Sequence, residues 1–216
     1  MSQSFDCFKR VLVYGQNNFG IKIRFKNQSK LMKALSLFLF FNKNFMTQYT
    51  TTLGKTIYFP SEKWLEENRE RASKVLCHEL VHVADEDRIG SFVFRMTYLF
   101  PQWMSLFALC ALFVGPWALA FLLFLAPLPA PFRAFWELRA YTVSDAVLYS
   151  QRQQFIDTKW LIKQFTSEKY YFMWPFQSSA SKEIKENRKM IKAGILSEKI
   201  PSSSKILAAF QGKLKK

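Results

Sequence analysis

At 216 residues the chain has room for one domain with a real core plus an appendage, and half of it is apolar with 23 Phe, which excludes general disorder. Cys7, Cys77 and Cys110 are too few and too scattered for a disulfide framework or a cysteine-rich zinc site, and the apolar run 11–14 is too short for a signal peptide. The net charge of +15 divides into +8 over residues 1–60, −2 over 61–95, zero over 96–132 where no charged residue occurs, and +9 over 133–216. A charge-free apolar block between basic segments suits an anionic membrane surface; nucleic acid would also attract the charge, but no phosphate loop or nucleic-acid motif accompanies it.

Residues 8–14 and 20–26 read as two strands around a turn at 15–20. In the second, Ile21, Ile23 and Phe25 alternate with Lys22, Arg24 and Lys26, which places the cations on the outer face. Ser29 opens a helix to about Phe41 with an apolar stripe of Leu31, Ala34, Leu35, Phe38 and Leu39. Residues 45–52 and 55–59 read as a hairpin turning at Leu53-Gly54 and stopped by Pro60. Ser61 caps the next helix, which breaks near Asn68, continues to about Arg88 and stops at Gly90.

That helix carries His78-Glu79-Leu80-Val81-His82, and these are the only two histidines of the chain. Four residues apart on a helix, both imidazoles reach one metal ion, and Glu79 beside the first can deprotonate a water on it. Zinc is the expected cofactor, with three protein ligands and one position for water. A third histidine six residues after His82 would mark a metzincin, but Arg88 stands there. Asp85 and Glu86 share the histidine face yet lie too far along a straight helix to be ligands, since Asp85 is ~10 Å beyond His78; Asp85 is a candidate to support a ligand from behind.

The order of backing helix, hairpin, His-Glu-x-x-His helix and a later helix with a carboxylate resembles the minimal core of the gluzincin zinc metallopeptidases over residues 29–145. The resemblance implies that Glu137, in Phe135-Trp136-Glu137-Leu138-Arg139-Ala140-Tyr141, is the third zinc ligand and that small Ala140 lets the two helices pack closely. It also implies that the 45–59 hairpin binds extended peptide by strand addition, although a plain edge hairpin fits the same residues. Tyr141 shares the Glu137 face as a candidate catalytic donor, and Asp145 is a candidate to orient a histidine. The family pattern often has Asp four residues after the ligand Glu, where this chain has Tyr141.

Within the charge-free block, the runs 103–114 and 117–126 flank Gly115-Pro116, and Pro127, Pro129 and Pro131 close it. Twenty-four apolar residues could cross a bilayer once, but one crossing would strand Glu137 on the far side from the histidines. The expectation is therefore a re-entrant helical hairpin with its tip at Gly115-Pro116, associating with membrane through that tip, Trp103 and Trp117. Two helices buried in a soluble core fit the same composition.

Residues 133–151 continue the core, and 152–216 form a basic helical extension with helices at 155–165 and 181–193, an aromatic loop at 170–176, a short last helix after Pro201 and a lysine tail. The fold class expected is α+β: a small zincin-like core of residues 1–95 and 133–151 with a short antiparallel sheet, an apolar hairpin at 96–132 and the extension. The expected function is hydrolysis of a peptide or protein substrate near a membrane, the site facing the cytoplasm. The alternative is a membrane or virion assembly protein with a structural zinc. Oligomeric state is open.

Overall fold

The computed structural model describes residues 2–38, 43–126, 128–167 and 172–214. The end of the helix expected to reach Phe41, Pro127, the start of the 170–176 loop and the last two lysines lie outside the described residues.

The chain is mostly helical around a small mixed sheet, an α+β arrangement at the coarse level. Helix α1 (Ser2–Phe19) is followed by β1 (Lys22–Phe25), α2 (Lys30–Phe38), β2 (Thr51–Leu53), β3 (Thr56–Phe59), α3 (Glu62–Glu67) and α4 (Arg69–Ile89).

 Then come α5 (Ser91–Tyr98), α6 (Ala111–Val114), α7 (Pro131–Arg152), α8 (Thr158–Thr166), α9 (Gln177–Ala193), α10 (Leu196–Lys199) and α11 (Ser203–Gln211).

Residues 8–14, expected as a strand, belong to the helix Ser2–Phe19. Phe8, Val11, Tyr14 and Gly15 are buried at helical spacing, so packing along one face overrides the strand preference of Val and Tyr. Gly15 sits in that helix rather than in a turn. A Cβ there would meet Ile21 Cδ1 at 2.5 Å and Leu80 Cδ2 at 2.9 Å, so its bareness lets α1 come close to α4. With no hairpin partner, β1 pairs instead with β3 in parallel, and β2 pairs with β3 antiparallel. The order is β1-β3-β2, a mixed sheet rather than the antiparallel one expected. Of the expected 45–52 strand only Thr51 and Thr52 are extended, in a strand that runs on to Leu53 and turns through Gly54 at φ +56°. Among the described side chains of α2, Met32 is buried, while Leu31 and Ala34 are exposed.

The capping signals act as the sequence suggests. Ser61 accepts a hydrogen bond from the Trp64 amide at 3.0 Å, Asn68 separates α3 from α4, and Gly90 ends α4 at φ +90°. The main core joins α1, the sheet, α4, α7 and α11 through Val11, Ile57, Phe59, Leu76, Leu80, Val143 and Ile206. A second cluster packs Tyr141 on α7 against Leu161, Phe165 and Ile184.

Between α5 and α7 the apolar block doubles back at Gly115-Pro116. One limb is a 3-10 helix (Gln102–Cys110) running into α6, and the other is a 3-10 helix (Pro116–Leu125) packed against it. Phe107 and Phe121 meet edge-on at 5.4 Å, and the limbs' buried residues are the small Ala108 and Ala118. The large side chains point outward: Leu112 is 85% exposed and Phe113 87%. The first limb leaves α5 at an angle of 91°, and no single helix among the described residues is long and apolar enough to cross a membrane.

Candidate metal centre

Helices α4 and α7 lie side by side in the core, and their facing turns carry the site. Ala140, fully buried one turn after Glu137, keeps the α7 surface low where the helices meet. His78 Nε2 lies 3.4 Å from Glu137 Oε2, and His82 Nε2 lies 3.5 Å from Glu137 Oε1. One ligand atom from each of the three residues falls within 4.8 Å of the others, near enough to hold one metal ion. Both ring nitrogens of His82 are buried without a hydrogen-bond partner, and a cation at this point would satisfy one of them. The donor set of two imidazoles and a carboxylate fits a zinc-type ion.

The electrostatics agree with an unmet demand for positive charge. Burial disfavours the charged form of His82, but the carboxylates of Glu137, Glu79 and Asp85 together outweigh it and lift the imidazole above its ordinary value. Burial likewise opposes ionisation of Glu137, yet His82 and His78 together hold its carboxyl well below the usual range. Site and sheet meet in a cleft of about 790 Å³ lined by His78, Glu79, His82, Glu137, β2, Phe94 and Arg133. Glu79 is positioned from the sheet: the Thr52 hydroxyl donates to its Oε2 at 2.8 Å.

Tyr141 presents its ring edge to His78 at 4.7 Å and packs on Trp160 and Phe165, beside the cleft rather than in its lining. Asp85, expected to support a histidine, accepts two hydrogen bonds of 2.7 Å from Arg139 and reaches His82 only through its field. Asp145, two turns beyond Glu137, accepts from Arg188 Nε and from the Ile156 amide, each at 2.7 Å, and so fixes the extension to α7 instead of orienting a histidine. Of the residues expected at the membrane, Trp117 is 66% exposed beside the Gly115-Pro116 bend, whereas Trp103 donates to the Met96 carbonyl at 3.1 Å.

Sequence reasoning missed Tyr98. Its hydroxyl donates to Glu137 Oε1, and burial together with that carboxylate pushes the phenol well above its ordinary value, keeping it a donor. Its only sequence signal was a Tyr opening the charge-free block, where an aromatic with a polar tip needs a partner once buried. Arg133, the first charged residue after the apolar block, donates from its Nε to the Tyr98 carbonyl at 3.1 Å. Compared with known proteins, the chain matches no family model, no curated protein and no solved structure.

Proposed function

We propose that the chain is a zinc metallopeptidase with a gluzincin-like core, hydrolysing peptide bonds beside a membrane to which residues 96–132 attach it. The observation that carries this reading is the convergence of His78, His82 and Glu137 in a cleft that also holds the Glu79 carboxylate. Zinc bound there would supply a Lewis acid that brings the pKa of its water toward ~7 and polarises a carbonyl. Glu79 accepts a proton from the attacking water and returns it to the departing amine. Thr52 fixes the rotamer of that base. As an edge strand bordering the cleft, β2 can receive an extended peptide as a further strand, which sets the scissile bond over Glu79.

A purely structural zinc would be closed by four protein ligands, and the group among the described residues has three. Metal analysis of the purified chain beside Glu137→Ala and Glu79→Gln tests the reading, with hydrolysis followed on a quenched-fluorescent peptide library. The expected result is about one zinc per chain, lost in Glu137→Ala and kept in Glu79→Gln, whose hydrolysis falls ~10²–10⁴-fold. Full hydrolysis by Glu79→Gln, or no metal in the unmodified chain, overturns it.

A further inference from the structure

We propose that Tyr98 is a positioning residue of the metal site, its hydroxyl holding Glu137 Oε1 so that Oε2 is presented to the ion with the two histidine Nε2 atoms. The inference rests on the reading of His78, His82 and Glu137 as ligands and adds a member to that site.

A carboxylate can meet an ion with one oxygen or both, and the last torsion of a Glu side chain has broad, shallow preferences. Something must therefore choose. The Tyr98 phenol lies on Oε1, the oxygen nearer His82, while Oε2 is the oxygen nearer His78. The ring that carries the phenol is itself fixed. It stacks on Phe94 at 5.7 Å and meets the His82 ring edge-on at 5.9 Å. The Tyr98 carbonyl accepts from Arg133 Nε, whose Nη2 donates to Gln102 Oε1 at 2.9 Å. One turn along α7 from Arg133, the Trp136 indole donates to Thr97 Oγ1 at 3.1 Å. The end of α5 is thus docked on α7 on both sides of the phenol, which holds the Tyr98 ring facing Glu137. Partners behind a metal ligand typically contribute 10–100-fold in metal affinity.

The test uses the full chain with zinc or cobalt(II) alone, comparing wild type, Tyr98→Phe and Trp136→Phe. Metal affinity is read by chelator competition, cobalt coordination by its visible absorption, and the metal-free fold by thermal melting. Tyr98→Phe should melt close to wild type without metal, bind zinc ~10–100-fold more weakly and show weaker cobalt bands as Glu137 closes onto the ion with both oxygens. Trp136→Phe loosens the same helix contact but leaves the phenol in place, and should bind metal within about twofold of wild type. Unchanged affinity and spectrum in Tyr98→Phe overturn the proposal, as does an equal loss in both variants, which would make Tyr98 simply part of the packing. A wild-type chain that binds no metal overturns the ligand assignment and this inference with it.

Discussion

Lys26 carries its ammonium into the interior at the end of β1, where it is 0% exposed. Its Nζ donates to the Phe45 carbonyl at 2.7 Å and lies 3.8 Å from the centre of the Phe45 ring. Burial lowers its pKa from 10.5 to about 8, against the opposing pull of Glu79. A group whose folded pKa is depressed in this way costs stability while it is charged. Between pH 8 and 10.5 the folded chain has released this proton and the unfolded chain has not, so stability rises with pH through that window. The full relief is on the order of 3 kcal/mol. Urea midpoints measured from pH 7 to 10.5 should show this rise in wild type relative to Lys26→Met, and parallel curves for the two would refute it. Strand alternation put Lys26 on the solvent face because the pattern was extended one residue too far. The strand ends at Phe25, and a 3-10 turn over Lys26–Gln28 swings the side chain inward. The histidine pair was legible because helical spacing alone sets it, whereas Tyr98 required knowing that α5 returns onto α7.

Among the elements, α4 and α7 depend on one buried ion pair as much as on apolar contact. Arg139 gives Asp85 two parallel hydrogen bonds, and its Nη1 donates to the Lys199 carbonyl at 2.8 Å, so the pair also reaches α10. Both side chains are nearly inaccessible, at 6% and 3%. Removing one partner leaves the other charge buried and uncompensated, which typically costs 3–5 kcal/mol. Asp85→Ala should therefore lose about that much in chemical denaturation. A loss below ~1 kcal/mol would show that water reaches Arg139. Element ends were the most legible feature of the sequence, since Ser61, Asn68 and Gly90 act through local chemistry. The parallel pairing of β1 with β3 was not legible, because it is a long-range consequence of α1 covering the sheet; the signal that would have found α1 was the helical spacing of Phe8, Val11 and Tyr14.

Across the whole molecule, an apolar projection and a basic body stand next to the candidate metal site. The hairpin closes at its base where Phe100 meets Phe132 at 5.8 Å, and Arg133 joins that base to Tyr98 and so to Glu137. Exposed apolar side chains crowd both limbs, and the net charge of +15 lies outside them. A surface of this kind gains from lipid in two ways that respond differently to conditions: apolar burial, which is insensitive to salt, and attraction to anionic headgroups, which is screened. The chain should therefore co-sediment with vesicles containing phosphatidylserine, more weakly with neutral vesicles, and lose part of its affinity as salt is raised. Leu112→Asp and Phe113→Asp place a carboxylate at the most exposed part of the tip without touching the core. At ~2.5 kcal/mol for a charge in the bilayer centre and less near its surface, each should weaken vesicle binding by about tenfold or more. Melting in the absence of lipid should not change. Vesicle binding that survives both substitutions and vanishes in high salt would mean that the basic body alone meets the headgroups, leaving the hairpin to another role.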